Sequence, residues 1–167
     1  MTLPTVREVW RLALPTETRL LAGARGLEGR VQWAQRMATR PPAFADLEPG
    51  GMAFFSPAIV RQLDDRLTPR QIIEGLAEGR ASAAVVLGAI DAEAAASAER
   101  LGLPLLLLPP GADLRECERA VIGLILQREA QLERREHEIY QRLARVSTER
   151  GGLGGLVEAL AGITGKT

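Results

Sequence analysis

Residues 83–108 read AAVVLGAIDAEAAASAERLGLPLLLL, and this stretch decides the fold. Ala83 to Leu87 is a short uninterrupted apolar run, the pattern of a strand covered on both faces. Asp91 is placed to cap an alanine-rich helix that stops at Gly102. Leu105 to Leu108 is a second apolar run, closed by Pro109-Pro110. Strand, helix and strand joined this tightly form a βαβ unit. The two strands are therefore expected to be parallel, with a right-handed crossover.

Upstream of this unit, Thr68-Pro69-Arg70-Gln71 sets a capping Thr, a Pro at the first helical position and a Gln at the third. A helix follows with Ile72, Ile73 and Leu76 on its inner face and Gly79 as its stop. Pro49-Gly50-Gly51 is a turn leading into a short apolar strand, Met52 to Phe55. Val31 to Met37 reads as another strand, and Pro41-Pro42 breaks the chain after it. Gly23, Gly26 and Gly29 punctuate a turn-rich stretch. At the start, Thr5 and Glu8 have the spacing of a capping box for a short helix through Arg11. Val6, Val9 and Trp10 share one side of that helix, and Leu14-Pro15 ends it.

Downstream, Asp113 with Glu116 caps a helix that has no Pro, and no Gly after Gly123, as far as Arg150. Some 35 helical residues span ~50 Å, more than a small core needs. Leu114, Cys117, Val121, Leu124 and Ile125 form a stripe for packing on the sheet. Beyond it a heptad threads Ile122, Glu129, Glu136 and Leu143 at a positions, and Ile125, Leu132, Ile139 and Val146 at d positions. Two Glu at a positions weaken a coiled coil but can set partner geometry. Glu138 and Arg142 have the spacing of a helical ion pair. A dimerising, signal-carrying helix with Ile125, Leu132, Ile139, Leu143 and Val146 in its seam is expected, because these apolar residues otherwise have nothing to cover them. The plainer reading is a solvated helix that caps the domain.

The fold class that results is α/β: a small, mostly parallel sheet with flanking helices and a long C-terminal helix. Three segments are expected: an α/β domain over 1–126, an extended helix over 127–150, and, over 151–167, a glycine-rich joint with the start of an incomplete further domain.

The whole chain has 167 residues, with 46% hydrophobic and 25% charged, enough for a core without disulfides or metals. The 21 basic and 21 acidic residues balance to a net charge of zero, which argues against this segment gripping DNA or an anionic membrane. The N-terminus MTLPTVREVW lacks an apolar signal core, and no apolar run reaches the roughly 20 residues needed to span a bilayer. These features point to the cytoplasm.

Catalysis needs a nucleophile, a base or a metal cluster. The single His137 lies in the charged run RREHE, and the single Cys117 sits on the apolar stripe of the long helix, where thiols are ordinarily inert. No His, Cys and Asp set has metal-ligand spacing. The tail residues Gly162 to Thr167 lack the first glycine of a phosphate-binding loop, since Leu160 stands in its place. No enzyme, no metal and no cofactor are therefore expected. In open α/β sheets ligands sit at the carboxyl ends of strands. Arg36, Thr39, Arg40, Ser56 and Gly88 occupy such ends, and two Arg there could pair a carboxylate; ordinary surface arginines are the plainer reading.

Several segments follow one another in an order that resembles a known family. They are TVREVW at 5–10, V-x-W at 31–33, PGGMAFF at 49–55, IIEGLAEGRASAAVVLG at 72–88, LGLPLLLLPPGADLRECERAV at 101–121 and GGLGGLVEALAGITGK at 151–166. Together they resemble the N-terminal sensor domain of PucR-type transcriptional regulators, the purine catabolism regulator family. The resemblance implies an α/β sensor, a GAF-like region beginning near Leu153, and a DNA-binding helix-turn-helix absent from these residues, as in a truncated regulator. The chain departs from the family at polar positions. It has Trp33, Gln35 and Ala38 against W-x-H-x-x-E, Gly50-Gly51-Met52-Ala53 against Gly-Gly-Glu-Leu, and Phe55-Ser56-Pro57 against Thr-Thr-Gly. The expected function is effector sensing for transcription regulation, by a homodimer whose effector is purine-derived or carboxylate-like. The alternative is a protein-interaction or dimerisation module without a small ligand.

Overall fold

The computed structural model describes residues 3–38 and 47–150, the side chains of 149 and 150 excepted. In chain order the elements are α1 (Val6–Leu12), β1 (Arg19–Ala22), a 3-10 turn (Ala24–Gly26), β2 (Trp33–Arg36), β3 (Gly51–Phe55), α2 (Pro57–Leu63), α3 (Pro69–Glu78), β4 (Ala83–Val86), α4 (Ala92–Leu101), β5 (Leu105–Leu107) and α5 (Leu114–Arg150). The chain divides into two compact units, with the boundary after Arg128. None of the described helices is long and apolar enough to cross a membrane.

The strands form one sheet in the order β1-β5-β4-β3-β2. Strands β2, β3, β4 and β5 are mutually parallel, with Phe54 opposite both Arg36 and Val85, and Val85 opposite Leu106. The unit β4-α4-β5 is the expected βαβ. Strand β1 is the exception: it pairs antiparallel with β5, Arg19 opposite Leu107, at the edge away from β2. Strand β1 falls between Pro15 and the glycine-punctuated turns, where the sequence pattern indicated no element, and the short helix α2 is a second element that it did not indicate.

Side-chain alternation sorts the core into two layers. Met52, Phe54, Ala83, Val85 and Leu106 face Val6 and Val9 of α1 and Cys117, Val121 and Ile125 of α5. Ala53, Phe55, Ala84, Val86 and Leu105 face Val60 of α2, Ile72, Ile73 and Leu76 of α3, and Ala94 and Ala98 of α4. The three helices that join successive parallel neighbours all lie on one face, as crossovers of a single hand require.

The caps are mostly those the sequence dictates. Thr68 and Gln71 form both halves of the capping box of α3, and Asp91 Oδ1 accepts the Ala94 N–H at 2.8 Å. Thr5 accepts the Glu8 N–H, but the Glu8 carboxylate does not reach back; it pairs instead with Arg128 of α5 at 2.6 Å. At the start of α5, Asp113 Oδ1 accepts the Arg115 N–H at 2.8 Å.

Within the second unit, α5 from Glu129 onward leaves Leu132 and Tyr140 exposed and Ile139, Leu143 and Val146 half-buried. His137 Nε2 lies 3.0 Å from Gln141 Nε2 across one turn. Glu138 and Arg142 form no ion pair, although their spacing allows one.

Candidate functional site at the carboxyl edge of the sheet

Four parallel strands bring four carboxyl ends to one edge of the sheet. Because β1 runs the other way, its beginning joins them there. A cleft of about 750 Å³ opens at this edge, lined by Leu87, Gly88 and Ala89 after β4, Leu107 to Ala112 at the end of β5, and Glu17 and Arg19 at the start of β1. That volume lies within the range of small-ligand sites.

Two glycines shape the mouth. Gly88 and Gly111 have φ of 110° and 99°, and a Cβ on either would meet nothing within 4 Å. They are therefore required by the backbone conformation and not by close packing. Leu108 N–H is held by Val86 O at 2.9 Å, and Ala112 N–H by Pro109 O at 3.1 Å, so the wall after β5 is a fixed turn. It leads directly through Asp113 into α5.

The lining is largely apolar: Leu87, Ala89, Leu107, Leu108, Pro109, Pro110 and Ala112. Among the described residues its charged side chains are those of Glu17 and Arg19. Both are exposed, and neither has a hydrogen-bond or ion-pair partner among the described residues.

Of the residues expected to bind a ligand, Gly88 lines the cleft. Arg36 lies on the far side of the sheet, two strands or ~10 Å from β4. Its Nε donates to Glu118 Oε2 on α5, while its backbone N–H reaches Glu118 Oε1 at 3.3 Å. Arg36 thus fastens α5 to β2. Ser56 is buried at the start of α2 and does not line the cleft. Thr39 and Arg40 lie outside the described residues, as do Gly151 to Gly155 and the tail beyond. Glu17 and Arg19 were not singled out in the sequence because β1 was not recognised. The signal available was Arg19-Leu-Leu-Ala22, a short apolar run between Pro15 and Gly23.

Among the described residues no three His, Cys, Asp or Glu converge on a metal-binding position. Cys117 is buried under the sheet, and burial, then the carboxylates of Asp113 and Glu116, push its thiol pKa up. A raised pKa in the folded state means that stability is retained below the thiol's ordinary pKa of about 8.5 and declines above it. There the unfolded chain ionises while the folded chain stays protonated. Urea midpoints measured from pH 7 to pH 10 should therefore fall more steeply for the native chain than for Cys117→Ala. Parallel curves would show that the thiol is not held neutral.

No family model matches this chain, and no curated protein shows significant similarity to it.

Proposed function

We propose that this chain is the effector-sensing regulatory domain of a PucR-like transcriptional regulator, acting in the cytoplasm as a homodimer. DNA would be bound by a helix-turn-helix outside these residues. The observation that carries the reading is the continuity of the cleft wall with the long helix. Leu107 to Ala112 line the cleft, and Asp113 then caps α5. A small molecule seated there touches the turn that starts α5 and can bias how that helix packs or pairs. For this to be a switch, the effector must bind one helix arrangement more tightly than the other, since equal binding shifts nothing.

A second reading, an interaction or dimerisation module without a ligand, is favoured by the exposed Leu126, Leu132 and Tyr140 on α5. Thermal denaturation separates the two. Nucleobases, ureides, dicarboxylates and amino acids are screened against the native chain and against Ala89→Trp, which fills the cleft from the β4–α4 turn. A ligand at 100 times its Kd adds about 2.7 kcal/mol, or about 5–10 °C for a chain of this size. That rise should vanish in Ala89→Trp. No shift with any compound, alongside a stable dimer, would favour the interaction module.

A further inference from the structure

The charges of the cleft say more about its ligand than its volume does. Arg19 and Glu17 are two residues apart at the start of β1, both line the cleft, and neither is neutralised by another side chain among the described residues. The rest of the lining is aliphatic side chain, proline ring and glycine backbone. A wholly apolar ligand would cover two charges and leave both unpaired, which is unfavourable. A dicarboxylate would satisfy Arg19 but bring a second negative charge beside Glu17. An uncharged ring offers full charge to neither.

We infer that the cleft takes a small zwitterion with an apolar body: a free amino acid of the leucine or phenylalanine kind, or an amino-carboxylate like it. The inference rests on the cleft being an effector site. The carboxylate pairs with the Arg19 guanidinium, which can hold it with two N–H donors. The ammonium group faces Glu17. The side chain lies against Leu87, Leu107 and Pro110, and fits easily within about 750 Å³. The two wall charges cancel, so the site favours a ligand of zero net charge carrying both signs.

Isothermal titration of the full chain with L-phenylalanine, L-leucine, phenylacetate, phenethylamine and hypoxanthine tests this. Phenylacetate lacks the ammonium and phenethylamine lacks the carboxylate. At least one amino acid should bind; L-phenylalanine, if it is that one, at least tenfold more tightly than either single-charge analogue. Arg19→Gln should bring phenylalanine down to the level of phenethylamine, and Glu17→Gln down to that of phenylacetate. Both side chains are exposed, so unchanged melting of the two variants is the check that they fold. The inference is overturned if neither amino acid binds, if phenylalanine binds but no better than its analogues, or if Arg19→Gln leaves intact the affinity for the amino acid that binds. Binding of hypoxanthine alone, lost in Ala89→Trp, would also overturn it while leaving the cleft as the effector site.

Discussion

Gly23→Ala is expected to unfold the first unit, residues 1–128, or bring it close to unfolding. Gly23 has φ of 79°, and a Cβ there would lie 2.0 Å from Leu103 O, 2.3 Å from Leu103 C and 2.6 Å from Pro104 N. Every one of these atoms is backbone, so no side chain can swing aside. Gly26 is similarly pressed, with its Cβ position 2.3 Å from Gly102 O. The Gly23 N–H also donates to Glu99 Oε2 at 2.7 Å, so displacing the turn breaks a charge-assisted hydrogen bond. The left-handed backbone alone costs about 1–3 kcal/mol for a non-glycine residue. With the clash added, a loss of about 4 kcal/mol or more is expected, a large share of the ~5–15 kcal/mol that holds a domain together. The urea midpoint should drop by roughly 2 M, or the protein should be insoluble. Gly75→Ala is the contrast. That glycine lies within α3 with open space at its Cβ position, so the change should stabilise by up to ~1 kcal/mol. A Gly23→Ala chain that melts like the native one would mean that the turn does not approach the α4–β5 connection this closely.

Replacing Leu132, Ile139 and Leu143 together with alanine is expected to convert a dimer into a monomer. These side chains follow the 4-3 spacing of a seam with Val146, and α5 is continuous through them. Alanine keeps the helix, since its propensity is the highest of any residue, so the change removes only the seam. Each buried leucine or isoleucine truncated to alanine costs about 2 kcal/mol or more. Six such losses occur in a dimer, and even half of them amount to about 6 kcal/mol, which raises the dimer Kd more than 10⁴-fold. Sedimentation at micromolar concentration should show a dimer for the native chain and a monomer for the variant, with unchanged far-ultraviolet dichroism at 222 nm. An unmoved oligomeric state would mean that the coiled-coil assignment of this helix is wrong. The glutamates at 129 and 136 make a second readout: neutral replacements there should tighten the dimer, because they remove like charge from the seam.

Local rules made the centre of the fold legible. Strands β4 and β5 are continuous apolar runs because both of their faces are covered, and Asp91 and Thr68 cap the helices nearby by contacts three residues long. Strand β1 carries a weaker mark, the short run Leu20-Leu-Ala22 behind a charged Arg19. It is four residues long, half exposed, and covered mainly at Ala22, so its pattern resembles a loop. The two charged residues of the cleft were missed with it. The fates of Arg36 and Glu8 were hidden for another reason: their partners, Glu118 and Arg128, lie 82 and 120 positions away. A charged side chain at a strand end looks free until the rest of the chain is in place. Gly88 was recoverable because the rule that ligands gather at carboxyl ends needs only the strand direction.

The pairing of β1 with β5 also sets a schedule. Leu20 meets Leu106, a contact that closes a loop of most of the unit, and such distant pairings slow folding. On a ribosome adding roughly 5–20 residues per second, β1 would wait on the order of 5–15 s for its partner strand to be made. During that interval its half-apolar face and unpaired amides stay open, a risk that edge strands carry. The strand that brings Glu17 and Arg19 to the cleft would thus be the last to be secured, and the charged wall of the site would be completed only once the sheet has closed.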